Sequence, residues 1–452
     1  MQTRASVAAW YALGILSVAV LYSIIDRQVL ILLAQPLKTD LHLSDTQIGS
    51  LQGLGAVLFS SIAVVPLGWL ADRMDRRLLL ALCILVWSLA IAACGLATSY
   101  WTLLICVAFL GAGEAGLGPI VFALIPELFP ERQRMTANFI FYTATVLGAG
   151  VGVALAGAVV EHIGLLSHLV PTGLFTRQTW RLVFFAVAVP GPFLAIAIGL
   201  IRLKQRAPRA RPDPASLPPH GHIKLLDHLA SNWKALVAVF VPYALVLLGA
   251  SAIFTWMPVI LMRESGISAG SVGAGLGAAI TIGSIAGLTI AAVAAKYLKP
   301  KWGALTPLRV SQIGYFLYAL LAPLYFLART PNQTFLIATV QMAIVIGGNS
   351  LTPTLVQDLA PSDLRGRVFA ISAVMVTLFQ VMSPIAVGLL SDHVFTQAGG
   401  LLKASIAVAF PATLEAALIL RLAEKQVLTT VEKVRALSGV APPFAVAAAS
   451  IP

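Results

Sequence analysis

Asp26, Arg27 and Glu114 each lie inside a long apolar stretch of the chain. An ionised group in hydrocarbon costs several kcal/mol, so those that persist face a bundle interior or a watery cavity and serve a pathway. Two carboxyls and a guanidinium can do two kinds of chemistry there. They can hold an anion, and they can load and release a proton, because burial favours the neutral acid whereas a nearby arginine favours the carboxylate. Adjacent helical positions point about 100° apart. Asp26 and Arg27 therefore cannot both face one spot: one is expected on a cavity, the other against a neighbouring helix. Tyr22, one turn before Asp26, shares its face and is a candidate hydrogen-bond partner. The plain alternatives are a static Asp26–Arg27 packing pair and a permanently neutral Glu114. Glu415, in the last apolar segment, reads as a snorkelling or locally paired charge.

The elements that must hold these groups are apolar helices. Of 452 residues, 59% are apolar and 11% charged, and the mean hydropathy is +0.91. Soluble domains carry about 25% charged residues, so the chain reads as an integral membrane protein. The net charge of +12 does not indicate nucleic acid, since the basic residues form short clusters between apolar runs, with no continuous basic face. Cys83, Cys94 and Cys106 fall within apolar segments and read as small buried hydrophobes. The first apolar run is too long for a cleavable signal.

Runs of about 20 apolar residues cross a bilayer as helices. Twelve are predicted, at 8–36, 47–71, 78–98, 101–128, 136–161, 181–201, 234–262, 270–295, 305–328, 333–359, 367–391 and 401–421. Alternate loops hold 23 and 6 Lys and Arg residues, an imbalance that predicts both termini in the cytoplasm. The expected organisation is a first six-helix bundle over 1–201, a Pro-rich basic cytoplasmic linker over 202–233, a second bundle over 234–422 and a cytoplasmic tail over 423–452. Sliding the chain on itself by 231 residues supports the division. Glu127, Leu128, Pro130 and Arg134 then fall on Asp358, Leu359, Pro361 and Arg365, and Gly157, Glu161 and His162 fall on Gly388, Asp392 and His393. Parallel six-helix halves with substrate at their interface are a transporter architecture.

The loop after the second span reads Gly68-Trp-Leu-Ala-Asp72-Arg73-Met-Asp75-Arg76-Arg77. It resembles the signature between spans two and three of the major facilitator superfamily, although Asp75 stands where the family usually has Gly. The resemblance implies a cytoplasmic latch. Gly68 would allow close helix approach, and Asp72 would sit at the N-terminus of the eleventh helix, where the dipole favours an anion. Arg73, Arg76, Arg77 and Arg134 would line the rim, pairing with acids such as Glu127.

Asp26-Arg27, Leu43-Ser44-Asp45-Thr46-Gln47, the Asp72 motif and Gly111-Ala-Gly113-Glu114-Ala115 together look like the Spinster-like branch, whose members move sphingolipids or lysophospholipids. The resemblance is dense over residues 20–140 and thin beyond. It implies an all-α membrane fold of two pseudo-symmetric six-helix bundles, a lipid-like amphiphilic substrate, and proton coupling or substrate binding at Asp26, Arg27, Glu114 and Tyr22. Val107 departs from the branch, which carries Arg there, about 10 Å along the helix from Glu114. Glu114 thus has one counter-charge fewer, which either strengthens a protonation role or removes the coupling pair.

Thr255, Trp256, Gln341, Asn349, Thr377 and Gln380 are the cavity candidates in the second half, with interhelical hydrogen bonding the competing explanation for Gln341 and Asn349. The dipeptide Gly-Lys never occurs, so there is no phosphate-cradling GxxxxGK[ST] loop, and all seven histidines fall in loops or at span ends. The reading is therefore a bacterial inner-membrane carrier, not an enzyme, working as a monomer without cofactor or metal. Its expected partners are an amphiphilic substrate, membrane lipids and protons. A carrier of small organic anions or drugs, or a proton-independent facilitator, is the alternative.

Overall fold

The computed structural model describes residues 6–71, 73–166, 178–201, 225–361 and 364–437. Asp72 and residues 202–224 of the expected linker lie outside these. The spans are α1 (Val7–Leu32), α2 (Asp45–Ala71), α3 (Arg76–Cys94), α4 (Tyr100–Leu128), α5 (Glu131–Leu166), α6 (Thr179–Gly199), α7 (Leu225–Ser265), α8 (Ala269–Trp302), α9 (Thr306–Leu327), α10 (Pro331–Asp358), α11 (Arg365–His393) and α12 (Gly400–Leu437). Among the described residues, eleven uninterrupted runs are long and apolar enough to cross a membrane. The longest, Ala269–Leu327, is two passes, because Gly303 (φ 54°) reverses the chain at its middle.

Polar caps set where several helices begin. Ser44 and Ser99 open α2 and α4 with capping boxes completed by Gln47 and Thr102, and Thr330 with Gln333 opens α10 ahead of Pro331. Each satisfies backbone N–H groups that would otherwise be stranded at a helix end. Two ends differ from the sequence expectation. α7 begins at Leu225, inside the expected linker, because His228 is buried and its Nε2 meets the Leu359 carbonyl oxygen at 3.1 Å. α12 runs unbroken past Arg421 to Leu437, and Val427, Val431 and Val434 bury one face at helical spacing.

The 231-residue repeat is visible in the folded chain. Arg134 donates from Nε to the Phe129 carbonyl at 3.2 Å, and Arg365 does the same to Ala360 at 3.3 Å. Both pairs are related by that offset. Gly157 and Gly388 are related in the same way and have one job: a Cβ on Gly157 would stand 2.6 Å from the Ala269 carbonyl oxygen, and one on Gly388 would stand 2.5 Å from that of Asp45. α5 thus lies flush against the start of α8, and α11 against the start of α2. These two seams join the halves. Cys83 and Cys94 are buried free thiols.

Several spans are not continuous α-helix. α4 breaks immediately after Glu114, α7 at Thr255–Trp256 and α10 at Leu351. α2 contains a π-helical stretch over Leu51–Leu58. Interruptions of this kind in membrane helices gather where a site is built.

Candidate functional site

The break in α4 places Glu114 against α1. Arg27 Nη2 donates to Glu114 Oε2 at 2.9 Å. The glutamate side chain is 6% exposed and the arginine side chain 51%, so the guanidinium spans from a buried acid to open space. Glu114 Oε1 has no hydrogen-bond partner. Asp26 turns the other way, into the first bundle, where it is 2% exposed. Its neighbours there include Glu114, Trp87 and Tyr22. Among the described residues, neither carboxylate oxygen finds a hydrogen-bond partner, nor does the Trp87 indole N–H. Tyr22 does not supply the bond to Asp26 that its position suggested: its hydroxyl donates to the Val187 carbonyl at 3.0 Å and lies 3.2 Å from Ser88 Oγ.

Val107 is fully buried, and a Cβ on Gly55 would come within 2.9 Å of its Cγ1. The π-helical stretch of α2 presses against α4 at this point. An arginine at 107 would have to displace it, which is the physical reason the chain accommodates valine.

Arg27 opens into a cavity of about 310 Å³ between the halves. The first half contributes Arg27, Gln28, Gln52, Ser60 and Ser61; the second contributes Ser251, Thr255, Thr377 and Gln380. Among the described residues, Arg27 is the one charged residue on its wall. Thr255, Thr377 and Gln380 therefore line the cavity, whereas Trp256, Gln341 and Asn349 do not. Trp256 and Gln341 are fully buried. Gln341 Oε1 accepts from Tyr325 at 2.9 Å, and Asn349 Oδ1 from Tyr315 at 2.8 Å. These last two residues stitch α10 to α9. A larger groove of about 690 Å³, lined by Trp180 and Asp40 among others, contains none of Asp26, Arg27 and Glu114.

The cavity is closed at the end where α2 begins and α11 ends. Asp45 accepts from Arg263 at 2.9 and 3.1 Å, from Lys38 at 2.6 Å and from Ser391 at 2.9 Å. Asp392, at the C-terminal end of α11, accepts from the Asp45 and Thr46 backbone N–H groups at 3.1 and 2.7 Å and from the Thr46 hydroxyl at 2.7 Å. Its repeat mate Glu161 accepts from Ser268, the N-cap of α8, at 2.9 Å. Sequence reasoning assigned none of these a role. The signal was present: Glu161 and Asp392 are aligned by the repeat, and Asp45 stands inside a motif singled out for its resemblance.

The opposite end is open. In the second part of α2, Phe59–Ala71, only Ala71 is buried, and a Cβ on Gly68 or Gly366 would meet nothing within 4 Å among the described residues. The contacts described for the latch candidates lie within the first half. Arg76 pairs with Glu127 and donates to the Ala71 carbonyl, and Arg134 also reaches the Pro126 carbonyl at 3.3 Å. Arg73 lies 3.8 Å over the Trp69 ring. Arg77 pairs with Asp75 and reaches the Ile201 carbonyl. That guanidinium holds the Asp75 carboxyl below its ordinary range.

The sequence profile of the Major Facilitator Superfamily matches residues 16–384. An efflux pump of that type from Mycolicibacterium smegmatis is 24% identical over 86% of each chain. A spinster homolog from Xenopus tropicalis is 30% identical over 32% of this chain and 28% of its own length. A sphingosine-1-phosphate transporter from Danio rerio is 28% identical over 34% of this chain and 30% of its own. The crystal structure of a bacterial homolog of the human lysosomal transporter Spinster, inward-facing and unoccupied, superposes with a TM-score of 0.74 at 20% identity, covering 96% of this chain and 98% of that one. With its profile matched over most of its length and two six-helix halves around a central cavity, the chain belongs to the major facilitator superfamily of transporters and is similar to its Spinster-like members.

Proposed function

We infer that the chain is a secondary active transporter that moves an anionic amphiphile, of the sphingolipid or lysophospholipid type, by alternating access. The observation that carries this reading is the Arg27–Glu114 pair at the cavity wall. Arg27 is the wall's one cation and already has a carboxylate partner. A substrate anion therefore competes with Glu114 for the guanidinium. Once displaced, Glu114 is a buried acid without its counter-charge, a condition that favours taking up a proton. Anion binding and protonation are linked through one arginine. Asp26, buried beside Glu114 with no hydrogen bond, provides a second site for a proton in the same layer.

The open second part of α2 supports an amphiphile. Ile62, Val65 and Trp69 are exposed along it, as are Phe369, Val374 and Leu378 on α11. An alkyl tail can lie among these while the head group reaches Arg27. By the positive-inside bias the open end is cytoplasmic, so this is the inward-facing state. The latch built on Gly68, Asp72 and the basic rim would then belong to the opposite state. In this reading the protein is a monomer of the bacterial inner membrane. Its bundles span 1–201 and 234–422, and its linker (202–233) and tail (423–452) are cytoplasmic.

A second reading, transport of a small hydroxylated organic anion, is favoured by the cavity itself. It is small for a ligand site, and nine of its fourteen lining residues are polar. Counterflow in proteoliposomes loaded with either a lysophospholipid or a sugar acid distinguishes the two. Wild-type protein that exchanges neither refutes both. In the same vesicles, Glu114→Gln is expected to retain counterflow while losing pH-gradient-driven accumulation. Full accumulation by this variant would remove the proton role.

A further inference from the structure

Of the buried polar side chains without a hydrogen-bond partner among the described residues, one lines the central cavity: Gln52. It is 7% exposed, and neither its Oε1 nor its Nε2 has a partner. A buried amide left unpaired is destabilising, and nearly all such groups in native structures are satisfied. Holding the seam does not explain this one. Gly53, the next residue, brings the α2 backbone against Val381 of α11, and Gly49 brings it against Pro384, so these close approaches are made at glycines and not by a hydrogen bond from Gln52. Its backbone belongs to the π-helical stretch Leu51–Leu58, a distortion often tied to function. Of the α2 residues on the cavity wall, Gln52 is the first in the chain, so it sits nearest the closed end, deepest from the opening.

We propose that Gln52 is a substrate-recognition residue whose amide completes its hydrogen bonds on the bound molecule. An amide offers a donor and an acceptor side by side. The group it takes must offer an acceptor and a donor on neighbouring atoms, while an anionic oxygen of the same molecule lies on Arg27. That describes an anion carrying adjacent hydroxyl groups, a chemistry shared by the glycerol head of a lysophospholipid and by a free polyhydroxy acid. The inference rests on the anion-transport reading and adds to it the requirement for hydroxyls. A site built to hydrogen-bond a hydroxyl rejects the analogue lacking it, because its own polar group is then left buried and unpaired.

Equilibrium binding to the purified full chain tests this with two matched pairs below their micellar concentrations: lysophosphatidylglycerol against lysophosphatidylpropanol, and gluconate against hexanoate. Wild-type protein should bind the hydroxylated member of one pair about tenfold more tightly than its partner, the net worth of about one hydrogen bond, and the pair that responds identifies a lipid head or a free acid as the source. In Gln52→Leu that ratio should fall to about one while the affinity for the unhydroxylated member stays within about twofold. Gln52→Met, closer in shape, is read in the same way if the leucine variant does not fold. A ratio that survives in the folded variant overturns the assignment, as does wild-type binding without preference within either pair. Wild-type protein that binds none of the four refutes the anion reading itself, and the role of Gln52 with it.

Discussion

Asp392→Asn is expected to loosen the closed end of the cavity selectively. The carboxylate accepts three hydrogen bonds from the first residues of α2, at 2.7, 2.7 and 3.1 Å, and stands where the α2 dipole favours a negative charge. That dipole term is worth about 0.3–2 kcal/mol. An asparagine keeps one acceptor but turns an NH₂ group toward donors, and at this half-buried site each hydrogen bond lost costs about 0.5–1.5 kcal/mol. Relief of the repulsion between Asp392 and Asp45 offsets part of this. A net change of about 2 kcal/mol multiplies the ratio of molecules open at this end to molecules closed there by about 30, since 1.4 kcal/mol is tenfold. A population of one in fifty becomes about two in five. Spin labels at Thr39 and Gln397, both exposed, measure the separation across this end by pulsed dipolar spectroscopy. A second, longer distance should appear in the variant, with the thermal midpoint of the detergent-solubilised protein lowered only modestly. Superimposable distance distributions would refute the reasoning, because a contact contributing so little to the closed state cannot be holding it.

Other substitutions separate the parts of the structure. Glu161→Gln should act in the same direction as Asp392→Asn but with a severalfold smaller population change, because Glu161 accepts one hydroxyl bond at the α8 end; equal or larger changes in the same distance measurement would contradict the ranking. Val107→Arg should lower the thermal midpoint, since overpacking of this kind costs about 1–3 kcal/mol where the side chain already meets Gly55; an unchanged midpoint with unchanged transport would show that the site has room. Tyr325→Phe, which removes the donor to buried Gln341, should cost about 1 kcal/mol of stability and leave substrate affinity unaltered; a changed affinity would place Gln341 at the site after all. Asp26→Asn should abolish gradient-driven accumulation with little loss of stability, because neither oxygen holds a hydrogen bond that the amide would break.

The parts of this fold readable in the sequence are those set by periodicity and symmetry. Apolar run length gave the spans. The 231-residue offset predicted pairings that recur in the folded chain, such as Arg134 with Phe129 and Arg365 with Ala360. The membrane-embedded charges stood out because their cost in hydrocarbon has no rival explanation of comparable size. Uncharged polar residues were less legible. Thr377 and Gln380 face the cavity while Gln341 and Asn349 bond across helices, and nothing in their types distinguishes the two uses; rotation about the helix axis decides, and packing sets that rotation. Gln52 escaped notice for a related reason. It is one uncharged polar residue among several on α2, and its type does not show whether its amide pairs across helices or is left on the cavity wall.

The placement of the polar clusters also explains how a chain with so few charges can switch between two shapes. The contacts at the closed end join the halves through helix ends: acids at the C-terminal ends of α5 and α11 meet the first residues of α8 and α2. Such contacts lie at the membrane surface, where water can replace a broken bond, so opening them costs a few kcal/mol rather than the full desolvation of a buried group. The Arg27–Glu114 pair is deeper, and its partners sit on α1 and α4 of one half. Relative movement of the halves therefore need not break it. What can break it is an anion entering the cavity that the movement exposes. In the proposed cycle, conformational change and ion-pair exchange fall on different residues, linked by α2, whose first residues form the clasp and whose Gln52, Ser60 and Ser61 line the cavity. Substitutions at the clasp should accordingly change the populations of the two states without altering which molecules bind, and substitutions at Arg27 or Gln52 should do the reverse.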